Sequence, residues 1–514
     1  MRVPAPSLAL SLGLTLTSAA LYACCFPPVS ATLLGWIALA PLLAVATRVS
    51  ASGAAGIGLL WAVAAAYGVG WWFPGMIVGY FGLAPVWGWL GFGVAAVMGA
   101  GIYVAAFLAW LSVLARRGRA GPVIIALGWG VAEFARARLL VPNPWALSGY
   151  SQMGFERLVQ VADLGGPYAV GMLLAGVNAA LAGLIVPALR GRWYRVSCAS
   201  IAAALVAAVG YGDRRLAQSF AAGETRRIAV VQGAIERGFR WRPEYREAGL
   251  GRYLELSRAV TAERPDLVLW PEYAVSFYPQ EPSRERARLL DAAGELGADL
   301  VLGAPHYAFE AGQTVYHNSV FLVRAGTLAG RYDKLYPLPL AERPVLGGVV
   351  GAHDTPYSAG TDLGLLDAAG MRLGVFICVE SVYPELVRRL ALAGAVVLAE
   401  FSNDAWFTFD APARHRLHIA SLRAIENRRY LVRAASTGIS AVIDPHGRVR
   451  QQLALGAPGV LVATVRGSAA TTPYQRWGDV LPWMAVALVG MHWIAGRWDH
   501  ARRRTRSRCA RCAR

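Results

Sequence analysis

Charge is scarce in this sequence. Only 16% of its 514 residues are Asp, Glu, Lys or Arg, while 56% are hydrophobic. A soluble chain of that length would carry about 25% charge. The charge present also lacks balance, with 32 acidic residues against 50 basic ones and a formal net charge of +18. An excess of that size can mark a nucleic-acid binder. Here much of it is arginine in short clusters beside apolar stretches. That is the pattern of cytoplasmic loops, so no nucleic-acid partner is expected. Cysteine is sparse too. Six scattered cysteines exclude a disulfide framework. Cys24, Cys25 and Cys198 lie in apolar stretches, where cysteine packs as a small hydrophobe. Cys509 and Cys512 form one CxxC in the basic tail. A lone pair cannot fill a tetrahedral zinc site, so no metal or other cofactor is expected. Cys378 is the cysteine that none of this explains.

What the sequence has in quantity is long apolar runs. A helix needs about 20 apolar residues to cross a bilayer. Seven candidate spans precede Asp213: Leu8 to Phe26, Thr32 to Ala46, Ala55 to Trp72, Gly91 to Leu114, Val123 to Phe134, Tyr168 to Ala188 and Val196 to Tyr211. An eighth, Val480 to Ala495, stands alone near the C-terminus. Further spans follow the first run at once, so it reads as a retained helix and not as a cleaved signal peptide. If the spans alternate, Arg2, Arg48, the Arg116–Arg119 cluster, the Arg190–Arg195 cluster and the tail arginines all fall on one side. That side is then cytoplasmic. Arg136 and Arg138 dissent. Both termini are thus expected inside, and the long segment between spans seven and eight outside.

That segment reads differently. Short β-rich runs alternate with amphipathic stretches. Strands are expected at Arg227 to Gln232, Asp266 to Trp270, Leu300 to Gly303, Leu373 to Ile377, Val396 to Leu398, Gly438 to Ile443 and Val460 to Val465. Helical spacing covers Arg284 to Leu296 and Arg414 to Tyr430. The expected organisation is a membrane domain over 1–213, an α/β layered domain over 214–476, a last span over 477–496 and a basic cytoplasmic tail over 497–514.

Three reactive residues share a setting. Glu272 follows the apolar run ending at Trp270, Cys378 follows the run ending at Ile377, and Lys334 follows a strand-turn stretch. In α/β sheets reactive groups sit at strand ends, exposed by loops and held by the sheet. Acyl transfer would use all three. A carboxylate takes the thiol proton, an ammonium favours the thiolate and the oxyanion, and a thioester splits one hard transfer into two easier ones. Taken alone, each has a plainer reading: packed core for the cysteine, solvated charge for the other two.

A resemblance sharpens the reading. Trp270-Pro271-Glu272, Tyr332-Asp333-Lys334 and Phe376-Ile377-Cys378-Val379-Glu380 resemble the three signature blocks of the nitrilase, or carbon–nitrogen hydrolase, superfamily. Asn143-Pro144-Trp145, Gly149-Tyr150-Ser151-Gln152, Val231-Gln232-Gly233 and Ser402-Asn403-Asp404-Ala405-Trp406-Phe407 narrow the match to the apolipoprotein N-acyltransferases. The resemblance implies a polytopic helical membrane domain joined to an extracytoplasmic αββα sandwich. It implies Glu272 as general base, Lys334 as stabiliser of thiolate and oxyanion, and Cys378 as acylated nucleophile. Glu342, Glu380 and Asn318 would support the site. Trp241, Trp406 and Val379 would border the substrates. Val379 stands where the family often carries an aromatic residue, and Thr408 where glycine is common. The implied partners are a glycerophospholipid donor and a diacylglyceryl apolipoprotein acceptor, and the implied location is the bacterial inner membrane. The loop Leu346 to Ser358 is a candidate lid. A membrane-tethered amidase would use the same triad but would need no seven-span platform. A transporter would bury several charges in its spans, whereas Glu133 is nearly alone.

Overall fold

The structure, a computed structural model, describes residues 6–220, 222–235, 243–339, 341–343, 356–405 and 409–512. The chain forms two compact units. One comprises Met1–Trp71, Trp89–Asp213 and Trp477–Arg514, and the other Trp72–Gly88 and Arg214–Arg476.

The first unit is helical. In chain order the helices from the N-terminus are α1 Leu8–Cys24, α2 Ala40–Ala46, α3 Ala51–Val69, α4 Phe73–Phe81, α5 Pro85–Ala96, α6 Ile102–Arg116, α7 Pro122–Arg138, α8 Glu156–Val159, α9 Ala162–Ile185 and α10 Tyr194–Leu216. Of these, α4 groups with the second unit. A five-residue π segment joins α5 to α6, giving a continuous 32-residue apolar stretch. Five helical stretches among the described residues are long and apolar enough to cross a bilayer: Ala51–Val69, Pro85–Arg116, Ala162–Ile185, Tyr194–Leu216 and Val480–Trp498. The count of eight spans is therefore not met by length and composition. Leu8–Cys24 has 17 residues, and Thr32–Ala46 is broken into a 3-10 turn and a seven-residue helix. Pro122–Arg138 has 17 residues and carries Glu133, whose carboxylate accepts from the backbone N and hydroxyl of Ser148.

The second unit is a sandwich of two six-stranded sheets. Its strands are β1 Thr225–Gln232, β2 Leu267–Trp270, β3 Asp299–Glu310, β4 Gln313–Arg324, β5 Thr327–Asp333, β6 Leu365–Ala368, β7 Met371–Ile377, β8 Val397–Ser402, β9 Tyr430–Ala435, β10 Ala441–Ile443, β11 Val449–Gln452 and β12 Gly459–Arg466. One sheet runs β12-β1-β2-β3-β4-β5 and the other β11-β10-β9-β8-β7-β6. Helices α11 Pro243–Arg258 and α12 Arg284–Glu295 cover the first sheet, and α13 Pro384–Leu392 and α14 Asp410–Asn427 the second. Two further helices, α15 Pro473–Trp477 and α16 Val480–Cys512, close the chain.

Strand periodicity explains the layering. Side chains alternate faces along a strand. In β1, Ile228 and Val230 enter the core between the sheets, while Ala229 and Val231 pack against the helices. In β7, Leu373, Val375 and Ile377 enter that central core and Phe376 turns outward. Both faces of these strands are covered, which is why they read as unbroken apolar runs.

A single glycine lets β3 approach the turn after β2. At Gly303 of β3 a Cβ would sit 2.5 Å from Glu272 Cα and 2.6 Å from the Pro271 carbonyl oxygen. Both are backbone atoms and cannot swing aside. Gly303→Ala is expected to lower the thermal unfolding temperature through overpacking of about 1–3 kcal/mol. Gly251→Ala in α11, where a Cβ meets nothing within 4 Å, should raise that temperature or leave it unchanged. Unfolding of the two variants in detergent micelles checks the contrast.

Candidate active site

Glu272 lies two residues past β2, Lys334 one past β5 and Cys378 one past β7. The first two strands belong to one sheet and the third to the other. Asn318 projects from β4. Because β4 pairs with β5 and with β3, which in turn pairs with β2, the sheet itself aligns Glu272, Asn318 and Lys334. The Lys334 backbone N–H also donates to the Asn318 carbonyl at 2.9 Å.

The side chains form a buried network. Lys334 is 1% exposed, and its Nζ donates to both Glu342 oxygens, at 2.8 and 3.0 Å. It also lies 3.7 Å from Glu272 Oε1. Asn318 Nδ2 donates to Glu272 Oε1 and to Glu342 Oε1, each at 2.7 Å. The second Glu272 oxygen accepts from the Asn403 backbone N–H at 2.6 Å, which ties the two sheets together. Burial alone would lower the Lys334 pKa. The carboxylates of Glu342 and Glu272, with Cys378, outweigh it and hold the ammonium charged.

Cys378 opens a 3-10 turn, Cys378–Val382, with a φ of 54°. A non-glycine residue in that left-handed region stores roughly 1–3 kcal/mol of strain. Glu380 holds the turn. Its carboxylate accepts from the backbone N–H of Ile377 at 2.6 Å, of Leu335 at 2.7 Å and of Tyr336 at 3.1 Å, and from the Tyr332 hydroxyl at 2.8 Å. The carboxylate thus clamps the Lys334 segment to the Cys378 turn. Burial pushes the Glu380 carboxyl up, against the donors and Lys334, which pull it down. Val379 follows in the same turn and is half-buried. Trp241, Trp406 and Thr408 lie outside the described residues, as does most of the loop proposed as a lid.

Burial is the largest influence on the Cys378 thiol and Glu272 adds to it. Arg416 and Lys334 pull the other way, Asp404 works against them, and the result stands at about 11. The thiol therefore rests protonated at neutral pH.

Several residues at the site escaped the sequence reading. Arg416 of α14 donates through Nη1 toward Cys378 Sγ at 3.5 Å. The same nitrogen donates to Asp404, and Nη2 donates to Glu400 at 3.0 Å. Arg433 of β9 bonds both carboxylates from the other side. Burial would raise the Asp404 carboxyl, but Arg416 and Arg433 hold it below the usual range. The signal was the spacing. Arg416 and Arg423 lie seven apart on a helix, hence on one face, and both are buried. A pattern of arginines alone reads as a solvated face.

His306, His317 and Asp333 form a second polar cluster, their donor atoms within 4.8 Å of one another. Alternation puts Asp333 on the opposite sheet face from Lys334. Arg331 already lies among them, 2.6 Å from His306 Nε2 and 3.0 Å from Asp333, and Ser319 donates to Asp333 at 2.5 Å. A guanidinium in that place opposes a cation.

Residues 227–474 match the carbon-nitrogen hydrolase family, and residues 18–180 match the apolipoprotein N-acyltransferase N-terminal domain. An apolipoprotein N-acyltransferase from Geobacter metallireducens is 33% identical over 91% of this chain and 92% of its own length. One from Methylococcus capsulatus is 32% identical over 92% and 93%. Among solved structures, an amidase of the nitrilase superfamily from Nesterenkonia aligns at a TM-score of 0.38 and 19% identity, over 51% of this chain and 97% of its own.

The site's electrostatics predict its reactivity. Alkylation of Cys378 by a neutral reagent such as iodoacetamide should be slow at pH 7 and climb toward a midpoint at about 11. Glu272→Gln removes the largest charge that raises the thiol, so its midpoint should move down. Peptide-resolved mass spectrometry across pH measures both. A midpoint in Glu272→Gln equal to or above that of wild type would contradict this account of the resting thiol.

Proposed function

Because this chain belongs to the apolipoprotein N-acyltransferase family, with relatives at 32–33% identity across more than nine-tenths of its length, we propose that Cys378 carries its acyl chain as a thioester. The protein is an acyltransferase built on the carbon–nitrogen hydrolase fold. It is also an integral inner-membrane protein, with five apolar helical stretches of membrane-spanning length among the described residues. The observation that supports the mechanism is the convergence of Glu272 and Lys334 on one buried network whose charges act on Cys378.

In the proposed first step, Glu272 takes the Cys378 proton and the sulfur attacks the ester carbonyl of a glycerophospholipid. Lys334 stabilises the oxyanion of the tetrahedral intermediate. The C–O bond breaks, and the lysophospholipid leaves with the proton held by Glu272. In the second step, the α-amine of a diacylglyceryl-cysteine at a lipoprotein N-terminus attacks the thioester. The new C–N bond forms, the sulfur leaves, and the amine proton returns through Glu272. Glu342 and Asn318 hold Lys334 and Glu272 in register, and Glu380 holds the nucleophile turn. Val379, the residue after Cys378, borders the acyl pocket. The sandwich domain lies on the periplasmic side, where outer-leaflet phospholipid and lipoprotein N-termini are at hand.

Intact-mass analysis of enzyme purified with phospholipid tests this. Wild type should carry an acyl adduct that hydroxylamine removes, and Cys378→Ala should carry none. Glu272→Gln and Lys334→Met should form the adduct at least 100-fold more slowly. N-acylation of a diacylglyceryl peptide by Cys378→Ala would sink the mechanism.

A further inference from the structure

We propose that Arg416 is a catalytic residue, a second cation whose Nη1 bonds the Cys378 sulfur and stabilises it as thiolate in both half-reactions. The proposal rests on the thioester reading above. Among the described residues, four charged groups act on the sulfur itself: Glu272 after β2, Lys334 after β5, Asp404 after β8 and Arg416 on α14. Two of the four, Lys334 and Arg416, are cations. Lys334 is already engaged by Glu342 at 2.8 Å and Glu272 at 3.7 Å. Arg416 is the cation with a hydrogen bond to the sulfur, at 3.5 Å.

The placement of Arg416 is over-determined. It is 3% exposed, and Asp404 and Glu400 hold its two terminal nitrogens. Arg433 holds the same two carboxylates from behind. Two arginines and two carboxylates close a neutral quartet, so the guanidinium is fixed before any substrate arrives. A purely structural quartet would have no need to aim a donor at the nucleophile. Arg416 Nη1 is shared between Asp404 and Cys378. As the sulfur gains charge, that donor faces an anion on each side.

The chemistry balances. In the first half-reaction the proton leaves sulfur for Glu272, and the charge that appears on sulfur lies beside Arg416 until the S–C bond forms. In the second half-reaction the S–C bond breaks, its electron pair returns to sulfur, and the same guanidinium receives the thiolate. Lys334 serves the carbonyl oxygen and Arg416 serves the sulfur. Each step then has one cation for each atom that gains charge.

The test uses full-length enzyme in detergent micelles, with Arg416→Gln and Arg416→Lys. At about pH 9 the thiol is mostly protonated, and alkylation follows the thiolate fraction. Arg416→Gln should alkylate Cys378 about tenfold more slowly than wild type or worse, one unit or more of upward shift. Arg416→Lys, which keeps the charge, should recover a large part of that rate. Acyl-adduct formation should follow the same order. An unchanged alkylation rate in folded Arg416→Gln, judged by its gel-filtration profile, would overturn the proposal. So would equal loss in Arg416→Lys and Arg416→Gln, the mark of packing alone. Should Arg416→Gln not fold, Arg416→Lys decides alone: a rate within threefold of wild type supports the charge, and a tenfold loss refutes it. Wild-type enzyme that never carries an acyl adduct would sink the thioester reading instead, whatever the alkylation rates show.

Discussion

Charge buried between two sheets must be closed on itself, and this constraint organises the sandwich domain. An isolated ion away from water costs several kcal/mol, which only a well-placed partner offsets. Glu272, Glu342 and Lys334 answer one another within 3.7 Å, with Asn318 bridging the two carboxylates. Arg416, Arg433, Glu400 and Asp404 answer one another in a second group that reaches the sulfur through Arg416. Each group is fixed because releasing it would strand another. The sheets supply the spacing, since Asn318, Lys334 and the Glu272 turn all hang from neighbouring strands.

The turn that carries Cys378, the proposed nucleophile, is held by a different device. Cys378 sits in a strained left-handed conformation that the turn alone would not keep. Four donors on Glu380 keep it, and three of them are backbone groups from the ends of β5 and β7. The Lys334 segment and the Cys378 turn are therefore one mechanical unit with Glu380 at its centre. Cys378 still packs against the central core that Ile377 enters, and its sulfur accepts from Arg416 Nη1 at 3.5 Å.

Much of this was legible in the sequence. Apolar runs bounded by turn residues marked β1, β2, β7 and β12, because strands covered on both faces must be apolar throughout. Glu272 and Cys378 each follow such a run, and Lys334 follows a strand-turn stretch. The hairpin of β4 and β5 was less legible, since its strands carry exposed polar residues such as Arg324 and Thr327. Helix α14 was expected to reach Tyr430. It ends at Asn427, because Arg428 turns left-handed and Tyr430 already starts β9. Local spacing cannot register that the second sheet claims those residues. Arg416 was illegible for a related reason. Its value depends on Glu400 of β8, Asp404 just after β8 and Arg433 of β9, which reach it only through the fold. The expected count of about eight spans is not confirmed by length and composition. Leu8–Cys24 and Pro122–Arg138 are apolar enough to catch the eye, but each has only 17 residues.

The charge arrangement bears on why such a site favours transfer over hydrolysis. Passing a proton from Cys378 to Glu272 creates no net charge. It moves one negative charge from a carboxylate beside Lys334 to a sulfur beside Arg416. A step that conserves charge among fixed partners requires little solvent reorganisation, so it can run in a site that excludes water. A thiol resting near 11 in free enzyme is then an asset. In the proposed reaction the sulfur stays protonated until an acyl donor makes the transfer favourable. The thioester that follows stands among charged groups already bonded to one another. On this mechanism the next nucleophile must bring its own reactivity, and the α-amine of a lipid-anchored cysteine does.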